Sequence, residues 1–405
     1  MRILLLTDRF PAGTENSPST WMHRHVQALS SFAEVDVVNF VRMMTRLKAM
    51  LIRDHSGHRF SQRNVAQKTE EVFGVPVRHL RVFSIPDSLS WQVNPWLMYL
   101  RHRSVLRSMM RDRNYDLILV HFVHPSALSA LRLGALYNVP VVIAENETLE
   151  VYLSEGSSRG VRWMLSRLRT SEAIITQCEA HAASVRGHIE HPRILILPLA
   201  FDPQPQQLPL LPSETPSPLR CVFLGRLDDE NKGVAAAIEG VMRVRRETGI
   251  DVTLTVIGDG VLRGELERLA AKQPYPDAVT FLGWIARDSL STRLRDHHVF
   301  LFPSAAESFG LVYLEAAEAA LPMIVNRNAG VVRELLRLSE GIQPILESTT
   351  GQIAEALIHV HDAYPRFRGA AIEAREEILE AFSWEKHAEQ YRQALTDLLK
   401  EKRPL

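Results

Sequence analysis

At 405 residues the chain is long for one hydrophobic core and fits two domains, and its 46% apolar and 23% charged composition, with no run approaching a membrane span, is that of a soluble globular protein. Two cysteines, Cys178 and Cys221, in apolar strand-like surroundings exclude a disulfide framework and read as reduced, buried thiols of a cytoplasmic protein. The formal net charge of 0 conceals an asymmetry: residues 1–200 carry 24 of the 47 Lys and Arg but only 17 of the 47 Asp and Glu, which fits a solvated basic face, an anionic acceptor or an anionic membrane surface.

Met1-Arg2-Ile3-Leu4-Leu5-Leu6-Thr7-Asp8 is too short and too soon charged for a signal peptide, and Ile3–Leu6 reads as a first buried strand. Ser19 or Thr20 then caps a helix that carries Arg24, a cation suited to an anion. After a strand at Val35–Val38, the stretch Val41–Arg53 gathers Met44, Leu47 and Leu51 on one side and Arg42, Arg46 and Arg53 on another at helical period. Such a helix either packs on its own sheet or seats this half peripherally on the inner face of an anionic membrane. Arg101, Arg103, Arg107, Arg111 and Arg113 add basic surface. No aromatic platform or nucleic-acid motif accompanies it, which argues against RNA or DNA. Leu117–Val120 is a strand ending in His121, with His124 in the loop beyond, and this pair lacks further metal ligands at suitable spacing. Val141–Ala144 ends at Glu145-Asn146-Glu147.

The alternation of strands and helices is that of a doubly wound parallel sheet over residues 1–202. Residues 203–218, rich in proline, form a linker. A second series over residues 219–381 has strands at Cys221–Leu224, Val252–Ile257, Val279–Leu282, Val299–Phe302 and Met323–Val325. Over residues 382–405, Ser383 caps a last helix with apolar Tyr391, Ala394 and Leu398, expected to cross back to the first domain. In two such domains facing a cleft, ligands sit at the carboxyl ends of the strands, so polar residues there carry most weight.

Two of these strand ends stand out. Gly225-Arg226-Leu227-Asp-Asp-Glu-Asn-Lys232-Gly233 follows one strand and precedes a helix near Val234. Arg226 offers a planar fork and Lys232 a point charge, a clamp for a diphosphate, unless both are consumed by Asp228, Asp229 and Glu230. The other is Phe302-Pro-Ser-Ala-Ala-Glu307-Ser308-Phe309-Gly310-Leu311-Val-Tyr-Leu-Glu315. Here Ser308, Phe309 and Gly310 are expected to open a helix to about Ala320, their N–H groups facing an anion, with Glu307 before it and Glu315 two turns in. The bland alternative is an ordinary βα unit with solvated acids. Gly258-Asp-Gly260 does not fit the dinucleotide fingerprint, since the next glycine comes one residue late at Gly264 and no acid ends the following strand. It reads as a tight turn near a nucleotide, where Trp284 either packs, the commoner role, or borders the base.

Together these segments resemble the retaining glycosyltransferases of family 4, which have the GT-B fold. The resemblance covers essentially the whole chain and is strongest from Val222 to Val325, with Ile257-Gly-Asp-Gly260, Phe281-Leu-Gly283 and Phe382-Ser-Trp-Glu385 also matching. It implies a nucleotide-diphosphate sugar as donor, with Arg226 and Lys232 on the diphosphate, Glu307 on the sugar and Glu315 on the ribose. Gly225, Gly258 and the backbone of Ser308-Phe309-Gly310-Leu311 would lie against the same donor, with no cofactor besides it and no metal. A glycan or lipid-linked acceptor would meet the N-terminal domain, where His121 aligns with a cleft-lining histidine and Arg24 lies near. Asn146 stands where many members have a histidine; it keeps a hydrogen-bonding side chain but cannot take a proton. The family's Gly-Gly before the first helix is absent. These departures leave a non-catalytic nucleotide-sugar binder, or more distantly a sugar-nucleotide epimerase, as competing readings.

Overall fold

In the computed structural model, residues 1–10, 20–43, 69–72, 74–83, 87–147, 158–204 and 214–402 are described. They divide into two units. The first comprises Met1–Gln177, His181–Ala200 and Trp384–Leu405; the second comprises Cys178–Ala180 and Phe201–Ser383.

The first unit holds strands β1 (Arg2–Thr7), β2 (Glu34–Met43), β3 (Thr69–Val72), β4 (Val75–Phe83), β5 (Leu117–His121), β6 (Val141–Ala144), β7 (Ala173–Thr176) and β8 (Ile194–Ile196). Helices α1 (Thr20–Ser30), α2 (Asp87–Asp112), α3 (Ala127–Tyr137), α4 (Ser158–Leu168) and α5 (Glu179–His188) alternate with them. The sheet order is β3-β4-β2-β1-β5-β6-β7-β8, parallel except for β3 against β4. Its strands are apolar on both faces because both are covered: Leu4, Leu6, Ile118 and Ile143 enter one cluster, and Ile3, Leu5, Leu117 and Val142 the other. Each fully buried leucine or isoleucine contributes about 1.5–3 kcal/mol.

In the second unit β9 (Leu219–Leu224), β10 (Val252–Ile257), β11 (Val279–Gly283), β12 (Val299–Phe302), β13 (Met323–Asn326) and β14 (Ile342–Ile345) alternate with helices. These are α6 (Val234–Thr248), α7 (Arg263–Ala271), α8 (Arg287–Arg295), α9 (Leu311–Glu318), α10 (Val332–Leu335), α11 (Thr350–Asp362) and α12 (Tyr364–Ala381). The all-parallel order β11-β10-β9-β12-β13-β14 is the 3-2-1-4-5-6 winding of a dinucleotide-type fold. The chain closes with α13 (Trp384–Lys402), whose Tyr391, Leu395 and Leu398 enter the first unit's core beside Met22, Val26 and Leu29 of α1. The spacing is that of one helical face.

Three expectations are corrected. Val41–Met43 ends strand β2 rather than starting an amphipathic helix, because this segment pairs with Arg81–Phe83 of β4; residues 44–53 lie outside the described residues. The helix expected to open at Ser308 starts at Leu311 and ends at Glu318, since Gly310 takes the left-handed φ of 81° as its cap. Glu315 therefore stands little more than one turn in. No helix of the described residues is long and apolar enough to cross a membrane.

Candidate active site

The strand order of the second sheet reverses between β9 and β12, and the two loops leaving their carboxyl ends carry the cations and the first acid. Close backbone approach fixes the first loop. Gly225 N–H donates to Ile257 O at 3.0 Å, and Gly258 N–H donates to Gly283 O at 2.8 Å. Gly258 has φ of 142°, and a Cβ there would lie 1.9 Å from Gly225 O, so only glycine fits. Asp228 Oδ1 accepts from Val261 N–H at 3.1 Å, and Asp229 Oδ1 caps the short helix Glu230–Lys232 by accepting from Asn231 N–H at 2.9 Å. Two of the acids expected to compete for the cations are thus engaged with backbone.

Lys232 turns instead to the second loop. Its Nζ lies 2.5 Å from Glu307 Oε1, with the pair mostly buried at 17% and 13% side-chain exposure. Ser304 Oγ donates to the same oxygen at 3.2 Å. The loops are fastened together by Ala305 N–H donating to Asn231 O at 2.7 Å and by Gly233, where a Cβ would come within 2.7 Å of Pro303 O. Arg226 is left 82% exposed, its contact with Asp228 Oδ2 stretched to 3.7 Å. An exposed pair at that distance contributes at most about 1 kcal/mol. The guanidinium is available to an anion.

Below these loops, Ser308 O accepts from Cys178 Sγ at 3.0 Å and Phe309 O from Val331 N–H at 2.9 Å, while the Phe309 ring packs on Phe382. The carbonyls are turned inward; Tyr313 N–H donates to Gly310 O at 3.1 Å, and the helix offers no acceptor to the N–H groups of Leu311 and Val312 before it. At the far end of α9 the buried Arg368 donates to Ala319 O and Ala320 O, and Arg375 to Glu318 O, satisfying terminal carbonyls. Glu315 faces a small hollow with Phe201, Arg287, Leu290 and Glu318. Burial pushes its carboxyl up to about 7; Arg287 opposes the rise and Glu318 adds to it. Trp284, expected to pack, is 73% exposed just past β11. Arg263 lies under the turn at Gly283, bonded to Asp259 and Glu267, and the ring is left outside the core.

The remaining predicted residues belong to the first unit. His121 ends β5 and its Nδ1 lies 3.2 Å from the Asn146 amide, just past β6. The loop is turned by buried Glu145, whose carboxylate accepts from the N–H groups of Val123, Asn146 and Glu147. Arg24 is exposed on α1, its guanidinium 5.6 Å from the Trp384 ring. Sequence reasoning missed what lies behind His121. His121 Nε2 meets His25 Nε2 at 2.9 Å, and His25 Nδ1 meets His387 Nε2 at 2.7 Å. The His387 Nδ1–H donates to Pro198 O at 2.7 Å. Burial lowers all three rings, His121 and His387 to about 4 and His25 well below its ordinary value, with neighbouring rings adding to the effect on His25. They are neutral at pH 7. A signal existed in the i, i+4 placement of His387 before Tyr391 on a helix face that had to be apolar.

A family model described as "Family 4 Glycosyltransferase in conflict systems" matches residues 176–391, and one described as "Glycosyltransferase Family 4" matches residues 41–204. The chain belongs to glycosyltransferase family 4. This glycosyltransferase is 27% identical over 312 residues to a glycogen synthase of Mycobacterium tuberculosis, covering 74% of this chain and 73% of that one. Over 175 residues, 43% of each chain, it is 29% identical to a GDP-mannose-dependent alpha-(1-6)-phosphatidylinositol dimannoside mannosyltransferase of the same organism. Among solved structures, sucrose-phosphate synthase from Thermosynechococcus elongatus superposes with a TM-score of 0.73 at 18% identity, covering 99% of this glycosyltransferase and 100% of that chain. Anabaena HepE in complex with UDP-glucose gives 0.66 at 16% identity, covering 98% and 100%. These likenesses identify the fold as GT-B.

Proposed function

We propose that this glycosyltransferase moves a sugar, with retention at the anomeric carbon, from a nucleotide-diphosphate sugar to a glycan or lipid-linked acceptor in cell-surface polysaccharide or glycoconjugate synthesis. The observation that carries the reading is the open Arg226 on the loop that also delivers Lys232 to Glu307, at the switch point of the second sheet. Arg226 and Lys232 neutralise the diphosphate as its bond to the sugar breaks, the first-turn N–H groups of α9 add to them, and Glu315 receives the ribose hydroxyls. The exposed face of Trp284 is suited to stacking on the base. The leaving phosphate oxygen takes the proton of the acceptor hydroxyl while the new C–O bond forms on the same face. This route needs no enzyme nucleophile, and it suits a Glu307 already held by an ammonium and a hydroxyl, which orients the sugar instead. Chemistry of this kind needs no metal. His121, Arg24 and Asn146 belong to the acceptor-bearing unit, whose basic surface would suit a peripheral seat on an anionic membrane.

UDP-glucose occupies one structural neighbour and GDP-mannose names one relative, so base and sugar are to be chosen by competition. Arg226→Ala is expected to lower transfer about 10²-fold or more with an unchanged melting curve; transfer at the wild-type rate would refute the reading. Asn146, unable to take a proton, favours a second one, a nucleotide-sugar binder without transfer. A wild-type protein that binds donor but neither transfers nor hydrolyses it, while Asn146→His gains activity, would establish that alternative.

A further inference from the structure

Among the described residues, the exposed large apolar side chains of the first unit are Val93, Leu97 and Leu100 of α2 and Leu136 of α3. Helix α2 gives one face to the core: Met98, Leu106 and Met110 enter the buried cluster, and on the same side His102 Nε2 meets Arg81 O at 2.8 Å. At 3.6 residues per turn, Val93, Leu97, Leu100, Ser104, Arg107 and Arg111 line the opposite face. Trp96 and Arg103 flank it on one side and Arg101 on the other. Helix α3 lies along the Trp96 flank, with the Arg132 guanidinium 4.0 Å from the centre of the Trp96 ring and Tyr137 Oη donating to Arg107 O at 3.3 Å. Leu136 follows Arg132 by one turn. The apolar patch therefore spans two helices.

Charge on this face has one sign. Between Asp87 at the start of α2 and Asp112 at its end there is no acid, and Asp112 accepts from Ser108 Oγ at 2.8 Å. Of the arginines gathered here, Arg113 is paired with Asp36 at 2.9 Å and Arg107 leans on Tyr99, its Nη2 donating to the hydroxyl at 3.2 Å. Arg101, Arg103 and Arg111 are exposed, as is Arg132 on α3. Apolar residues scattered singly over a surface need no explanation, but three at i, i+4 and i+7 with a fourth on the adjoining helix mark an interaction surface. A second copy of the face would set arginine against arginine, and a polyanion alone would leave the leucines in water. An anionic bilayer meets both needs, because apolar side chains enter between the headgroups while guanidinium groups bind the lipid phosphates.

We propose that the outer face of α2, extended by α3, is a docking surface for an anionic phospholipid bilayer. Val93, Leu97, Leu100 and Leu136 enter the interfacial region, and Arg101, Arg103 and Arg111 lie on the phosphates. This gives the peripheral seat a definite place and moves it from the Val41–Arg53 stretch, whose first residues belong to β2, to α2. That the seat serves sugar transfer rests on the function proposed above. The lipid contact depends on α2 and α3 alone.

The test is co-sedimentation of the full chain with phosphatidylcholine vesicles, with and without phosphatidylglycerol. Binding is expected only with phosphatidylglycerol, and it should be lost on raising the salt from about 0.1 M, where charges act over about 10 Å, to about 1 M, where they act over about 3 Å. Arg103→Gln with Arg111→Gln should weaken it about 10- to 30-fold, at about fivefold for each arginine near the surface. Leu97→Ser with Leu100→Ser should weaken it about tenfold and leave the salt dependence in place. All four residues are exposed, so the melting curves should stay unchanged and loss of binding is not loss of fold. Equal binding to both vesicles, binding to neither, or variants that bind as wild type does overturn the proposal. A concentration-dependent dimer that dissolves in the leucine variant overturns it in favour of a second copy. Arg226→Ala should bind vesicles like wild type while losing transfer. Vesicle binding by a protein without transfer sinks the transferase reading and keeps the surface; transfer without vesicle binding does the reverse.

Discussion

Lys232 chooses Glu307 over three nearer acids in the sequence, and that choice defines the chemistry of the site. Asp228 and Asp229 are drawn to backbone N–H groups two or more residues away, the ordinary habit of aspartate in turns, whereas Glu307 is delivered by a loop 75 residues on. The turn itself was legible from Gly225-Arg226 and Lys232-Gly233; the partner was not, because it depends on two strands lying side by side in the sheet. Exposure of Trp284 was hidden for the same reason. Glu315 gives a pH prediction. Burial holds its carboxyl up at about 7, so the carboxylate fraction grows from pH 6 to 8, and the carboxylate is the better acceptor for two ribose hydroxyls. Donor affinity is expected to rise over that window in wild type. In Glu315→Gln the dependence flattens and affinity falls about tenfold, as measured by calorimetry at each pH; a slope that survives the substitution assigns it to another group. Gly258→Ala is expected to destabilise by about 2 kcal/mol or more in urea unfolding, because any Cβ meets Gly225 O.

Strands of the parallel core were readable as short apolar runs, but β3, β4, β7, β8 and β14 were not among them. Ile194–Ile196 is three half-buried residues at a sheet edge, and Ala173–Thr176 is too short and too mixed to stand out from its surroundings. Parallel pairing with β6 and with each other makes them strands. Helix α13 was legible as an amphipathic element, yet its most consequential residue, His387, is polar and faces inward. Its docking carries a pH signature. The rings of His25, His121 and His387 have folded-state values below the ordinary 6.5, with His121 and His387 at about 4. The unfolded chain therefore binds more protons than the folded one between pH 6.5 and 4, and stability rises with pH there. The contribution is fully present above pH 6.5 and is lost progressively as the pH falls toward 4. Urea midpoints measured from pH 7.5 to 4.5 should fall with acid in wild type. The fall should be shallower in His387→Gln, which keeps a hydrogen-bonding side chain without a titrating ring; equal slopes would show that His387 does not contribute.

At the scale of the whole chain, two doubly wound sheets were legible because βα alternation repeats over hundreds of residues, while most of the proline-rich linker read at 203–218 lies outside the described residues. Candidate ligand-binding motifs were legible on strand ends of the second unit, though not which of them meet. That concentration predicts where ligand energy enters. Arg226, Lys232, Glu307, Glu315 and Trp284 all belong to Phe201–Ser383, so nucleotide binding is expected to be a property of the second unit, and a nucleoside diphosphate alone should recover most of the stabilisation given by the complete sugar nucleotide. A ligand at 100 times its dissociation constant stabilises the folded state by about 2.7 kcal/mol, enough to read as a shift in melting temperature. Screening uridine, guanosine and adenosine diphosphates with their sugars should give one base with a clear shift. For that base, Arg226→Ala should reduce the shift from both diphosphate and sugar nucleotide, because the guanidinium meets the diphosphate common to them. Asn146→Ala, in the first unit, should leave the diphosphate shift intact. The reverse pattern, with Asn146→Ala erasing the diphosphate shift and Arg226→Ala sparing it, would move the donor from the second unit to the first.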